Sequence, residues 1–122
     1  MSSSLSALYL PAILKDIRET LRLSEERFGP GAADRYAALI RQALRDLHTD
    51  PCRPGAKSRN HLATDPWVYH LVFSRDRVAG DSVKKPRHFV LYRFNGRVIE
   101  FARILHDSRD PARHLPRGYR AE

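Results

Sequence analysis

Residues 86–116, PRHFVLYRFNGRVIEFARILHDSRDPARHLP, hold two apolar runs on either side of Asn95-Gly96. Both runs are rich in β-branched and aromatic residues, and they predict strands over 87–94 and 97–105. Asn-Gly supports positive φ at both central positions of a type I′ turn, so the two strands are expected to form a hairpin. Strict alternation puts Tyr92 and Phe94 on one face with Arg93 on the other, and it groups Arg103 with Phe101 and Leu105. Beyond the second strand, Asp110-Pro111 fits a helix N-cap followed by proline at the first helical position. A turn and a short terminal helix follow, with Leu115 folding back onto the domain.

Upstream, Leu8-Tyr9-Leu10 reads as a first strand that stops at Pro11. Ile13, Leu14, Ile17, Leu21 and Phe28 then recur at helical spacing, until Gly29-Pro30-Gly31 breaks the pattern. A second helix carries Ala33, Tyr36, Ile40, Ala43, Leu44 and Leu47 as far as about His48, ahead of Asp50-Pro51. Two amphipathic helices joined by so short a break turn back on each other, and each keeps an apolar stripe that needs a flat apolar partner. Residues 52–66 read as a polar, basic loop, 67–73 as a strand, and 74–86 as a long charged connection. The expected fold is α+β: an antiparallel helical hairpin on a small, mostly antiparallel sheet in the order β-α-α-β-β-β, with a short C-terminal helix.

The length of 122 residues fits one domain, 1–122, with 117–122 as a tail. Cys52 is the only cysteine, so no internal disulfide is possible, which suits a reducing compartment. No window is apolar enough for a membrane span, and the N-terminus lacks the basic start of a signal peptide, so the expected location is cytoplasmic. Charge is unevenly spread. Residues 1–50 carry seven basic and seven acidic side chains, whereas residues 84–122 carry ten basic and four acidic, most of the net +8. The C-terminal third is therefore an electropositive surface suited to an anionic partner, either nucleic acid or an acidic protein segment.

The element order and the wording of the last strand resemble the ParE-type toxins of the RelE/ParE superfamily, from bacterial type II toxin–antitoxin modules. Residues 26–51, ERFGPGAADRYAALIRQALRDLHTDP, resemble that family's helical stretch, with Phe28, Gly29, Ala33, Tyr36 and Pro51 at familiar positions. Arg103, Ile104, Leu105, His106 and Asp110, followed by Arg113-His114-Leu115, resemble its closing motif. The likeness covers nearly the whole chain. It implies a small toxin held in a hetero-oligomer by a cognate antitoxin, without a cofactor. ParE-type members are associated with poisoning DNA gyrase, and RelE-type relatives with cleaving mRNA on the ribosome.

Under the first alternative the protein has no chemistry of its own. Target contact is then expected from Arg103, His106, Arg109, Arg113 and Arg117, and antitoxin contact from Ile17, Leu21, Tyr36 and Ile40 in the helical hairpin, together with the sheet edge. Under the second, a metal-independent endoribonuclease needs a base, an acid and cations for the phosphate. Lys57, Arg59, Arg103 and His106 have suitable side chains, but no tyrosine directly follows the last strand. Arg103 has a plainer role as the partner of Asp110 or Glu100, and His70 and His88 read as core or edge histidines. His106, Asp107, Asp110 and His114 are close enough in sequence to suggest a metal. Capping by Asp110 explains the same residues with fewer assumptions, and no metal is expected.

Overall fold

The structure, a computed structural model, describes residues 5–58 and 65–116. Strand β1 (Ser6–Tyr9) leads into helix α1 (Pro11–Phe28) and helix α2 (Pro30–Thr49). Then come β2 (Lys57–Ser58), β3 (Trp67–His70), a 3₁₀ helix (Leu71–Arg77), β4 (His88–Phe94), β5 (Val98–His106) and one 3₁₀ turn (Pro111–Arg113). The strands form one sheet in the order β1-β5-β4-β3-β2, with only β1 and β5 parallel.

Gly29 alone separates the two helices. Its φ of 92° reverses the chain in a single residue, and Pro30 opens α2 where a missing N–H leaves nothing unpaired. The buried stripe of α2, including Tyr36, Leu39, Ile40, Ala43 and Leu47, packs with Ile13 of α1 onto the sheet, and Ile17 and Leu21 close its margin. Leu14 and Phe28, grouped with these by spacing, are 44% and 75% exposed. Leu14 lies off the line through Ile13, Ile17 and Leu21, and Phe28 ends α1 at the tip of the hairpin.

Val90, Tyr92 and Phe94 of β4 meet Ile99, Phe101 and Ile104 of β5 on the helix side. Phe101 and Ile104 share that face although three residues separate them. The cause is a β-bulge: Tyr92 pairs with Phe101 and Leu91 with Arg103, leaving Ala102 without a partner. Arg103 is thereby split from Phe101, against the expected alternation. On the opposite face Leu91 and Ala102 pack with Leu10, Val68 and Leu115, so Leu115 does fold back onto the domain.

Three further local expectations change. The β4–β5 turn is not type I′, because Gly96 is not among the glycines at positive φ. Asn95 Oδ1 instead accepts the backbone N–H groups of Arg97 and Val98, at 2.7 and 2.8 Å, and fixes the loop through its side chain. β3 stops at His70, whose Nδ1 accepts the Val72 N–H and turns the chain into the 3₁₀ helix. Lys57–Ser58, read as loop, adds a short edge strand to β3. Gly55 (φ 100°) lies so near the Phe73 ring that a Cβ there would come within 2.5 Å of it.

Asp46 of α2 holds this half of the molecule together. Its buried carboxylate accepts from Ser74 Oγ at 2.7 Å, Gln42 Nε2 at 2.8 Å and Arg77 Nε at 2.9 Å, and pairs with Arg53 at 3.0 Å. Tyr69 Oη donates in turn to Ser74 Oγ. Burial alone would raise the Asp46 carboxyl, but these hydrogen bonds and the Arg53 charge outweigh it and hold it below the usual carboxylate value. Removing the carboxylate strands a buried hydroxyl pair and a largely buried guanidinium. Asp46→Ala should therefore cost about 3 kcal/mol in urea unfolding. Arg77→Ala, which removes a half-exposed partner, should cost under about 1 kcal/mol. Equal losses would contradict a hub at Asp46.

Candidate functional site

β4 and β5 end side by side, with His88 opposite His106. Tyr36 of α2 sits over this end, where its hydroxyl accepts the Arg87 N–H at 3.1 Å and lies 2.6 Å from His88 Nδ1. The phenol therefore donates to Nδ1, which leaves the imidazole neutral with its proton on Nε2. Burial acts the same way on both groups, pushing His88 down to about 4 and Tyr36 up to about 12. The rings of Tyr36 and His106 meet that of His88 edge-on, each with centroids 5.4 Å away.

An outer ring of charge surrounds this neutral pair. Arg87 forks onto Asp107 with bonds of 3.1 Å, and His70 Nε2 lies 3.2 Å from the same carboxylate. His70 Nδ1 already accepts the Val72 N–H, so Nε2 carries the hydrogen that Asp107 receives. The Arg87 guanidinium holds Asp107 well below the carboxylate range, at about 2. His106 Nδ1 accepts the Ser108 N–H at 3.1 Å, which places its ring proton on Nε2.

His88 and His106 form the floor of a cleft of about 810 Å³ between the tip of the helical hairpin and residues 81–87. Arg27, Arg35, Lys84, Lys85 and Arg87 line it against a single carboxylate, Asp81. Its walls also include the apolar side chains of Leu23, Phe28, Ala32 and Val83. Such a site can bind an anion, and His106 is the more exposed of its two imidazoles.

The residues singled out from sequence are not gathered here. Lys57, Val68, Leu91 and Arg103 lie in one row across the sheet, on the face away from the helices. Lys57 and Arg103 are three strand spacings apart, roughly 14 Å. His106 belongs to the opposite face, so the nuclease set is split. Arg59 and Arg117 lie outside the described residues.

Arg103 pairs with neither Asp110 nor Glu100. It forks onto Asp16 of α1, with bonds of 2.7 and 3.0 Å, and Asp16 also accepts the Ile104 N–H. β1 ends opposite Phe101, so beyond that point β5 has no strand neighbour on its β1 side, and Asp16 occupies that open edge. Glu100 pairs with Arg93, and Asp110 caps the terminal turn through the Ala112 N–H. Tyr36 and Ile40 are core residues 9% and 2% exposed, with Ile17 and Leu21 half-buried against them. The hairpin face expected to meet an antitoxin is thus largely spent on the sheet.

His70 and His88 were legible only as core or edge histidines, because nothing in one sequence pairs His88 with Tyr36, fifty-two positions away. The folded state binds the His88 proton less tightly than the unfolded chain does. Stability from this group is full above about pH 6.5 and falls as the pH drops toward 4. His88→Asn, which retains a partner for Tyr36, should show a smaller fall in Tm between pH 7.5 and 4.5 than the wild type. An equal fall would remove His88 from this account.

Among the described residues no helix is long and apolar enough to cross a membrane. No curated protein matches the sequence significantly. Solved structures that share the fold include two toxin–antitoxin systems. One, titled chromosomal ParDE TA system from P. aeruginosa, has 14% identity and a TM-score of 0.60, covering 84% of this chain and 96% of its own. The other, the E. coli DinJ-YafQ toxin-antitoxin complex, has 10% identity and a TM-score of 0.54, covering 87% and 96%. At these identities they speak to architecture alone. Residues 8–111, most of the chain, match the family model described as ParE toxin of type II toxin-antitoxin system, parDE, and the chain belongs to that family.

Proposed function

We propose that this protein inhibits DNA gyrase by binding it, and that a cognate antitoxin neutralises it. The observation that carries this reading is the division of the sequence-derived nuclease set between two faces of the sheet, with Arg103 already engaged by Asp16. An inhibitor that works by contact needs no assembled catalytic group. It needs an exposed charged surface, and Arg109 and Arg113 supply one next to His106. Arg103 serves this surface indirectly, by fixing the end of β5 to α1. The antitoxin contact moves off the buried hairpin stripe and onto exposed parts of the same helices.

A second reading, metal-independent RNA cleavage, rests on one observation: His106 lies at the floor of a cleft lined with cations. There Arg87, Lys84 and Lys85 would hold phosphate and His106 would move the proton. Two assays separate these readings. With purified gyrase, the protein should block supercoiling of relaxed plasmid, and Arg109→Glu/Arg113→Glu should weaken the block by roughly tenfold or more. In a translation reaction, mRNA should stay intact. Cleaved mRNA that becomes intact again with His106→Ala would replace the first reading with the second.

A further inference from the structure

Positive charge in the cleft at the hairpin tip is left uncompensated. Arg27 of α1, Arg35 of α2, and Lys84 and Lys85 of the segment before β4 all line it, and among the described residues none of the four has an ion-pair partner. Elsewhere the pattern is the reverse: Arg22, Arg53, Arg93 and Arg103 each hold a carboxylate within 3.0 Å. Asp81 is the sole carboxylate among the residues lining the cleft. Like charges gathered in this way repel, and a bound polyanion relieves the repulsion. Arg75 Nη1 donates to the Lys84 carbonyl at 2.6 Å, which anchors the segment that carries both lysines.

The remaining features narrow the kind of anion. A volume of about 810 Å³ falls within the roughly 300–1,000 Å³ of sites that hold small molecules and cofactors. Phe28 has three-quarters of its surface in solvent, a ring face on which a planar heterocycle can stack, and Leu23 and Val83 give aliphatic cover beside it. Guanidinium and ammonium groups suit phosphate, the first by forking onto two oxygens and the second as a point charge. An inorganic phosphate would use the cations but leave the Phe28 ring bare.

We infer that the cleft binds a nucleoside triphosphate, with its phosphates against Arg27, Arg35, Lys84 and Lys85 and its base stacked on Phe28. Four uncompensated cations match a chain of phosphates better than a single one. The His106 Nε2–H at the floor gives a further donor to a phosphate oxygen, and Asp81 is left to accept from the ribose hydroxyls. The nucleotide is a ligand here, and no bond is made or broken. Its binding is independent of the protein's target, but it would lie against the end of β5, beside the surface that carries Arg109 and Arg113.

The test titrates ATP into the full chain by isothermal calorimetry at low salt. ATP should bind at least about tenfold tighter than AMP, which brings fewer phosphates, and than inorganic triphosphate, which brings no base. Lys84→Glu/Lys85→Glu should weaken ATP binding by about thirtyfold, and Phe28→Ser by about tenfold. Arg41→Glu, an exposed reversal on α2 outside the cleft, should stay within about threefold. All four side chains are exposed, and unchanged thermal unfolding verifies that the variants fold. If wild type binds ATP no tighter than a Kd of about 1 mM, or if both cleft variants match it, the inference is overturned. Inorganic triphosphate binding as tightly as ATP, with Phe28→Ser unchanged, would leave a site for polyanions without a base and overturn it too. A single-stranded RNA of about twelve nucleotides that binds about tenfold tighter than ATP, and is lost with the lysine variant, would assign the cleft to RNA instead.

Discussion

The unpaired residue Ala102 decides where the rest of β5 points. In a regular strand Phe101, Arg103 and Leu105 would share the helix face, and His106 would point away from it. The bulge exchanges the two sets. Ile104 then enters the core, Arg103 reaches Asp16 at the open edge, and His106 comes to lie beside His88. The floor of the cleft therefore depends on one extra residue in one strand. Small size suits that position, because Ala102 is fully buried against Leu91 on the crowded opposite face.

Much of the architecture was legible in the sequence because it follows from period and punctuation. The helical hairpin appeared as two stripes broken at Gly29, the β4–β5 hairpin as two apolar runs around Asn95, and the terminal turn as Asp110-Pro111. What escaped is local geometry that depends on side chains acting on distant or adjacent backbone. Asn95 builds its turn by accepting two N–H groups, so the dipeptide that signals a hairpin gives no guarantee of its backbone type. His70 ends β3 in the same way, inside a run that composition makes wholly strand-like.

The candidate site was less legible, for a related reason. Sequence reasoning gathered Lys57, Arg103 and His106 by residue type, but the sheet places the first two on one face and the third on the other. The group that does assemble draws Tyr36 from a helix, His70 and His88 from two strands, and Asp107 from the loop after a third. Burial keeps its inner members, Tyr36 and His88, uncharged, while the Arg87 guanidinium keeps Asp107 ionised at its margin. Asp46 performs a comparable service farther along α2, where Gln42 of the same helix, Arg53, and Ser74 and Arg77 of the 3₁₀ helix converge on one carboxylate.

The sheet's edges carry a consequence for how such a protein behaves when it outnumbers its partner. Its two outer strands are four and two residues long, β1 and β2, and Lys57 sits on the shorter one. Beyond β1 the exposed side of β5 is occupied by the Asp16 carboxylate rather than left as a row of free amides. Long bare edges template aggregation, while short, charged or covered ones resist it. Among the described residues the sheet edges therefore offer little backbone for another copy to add to.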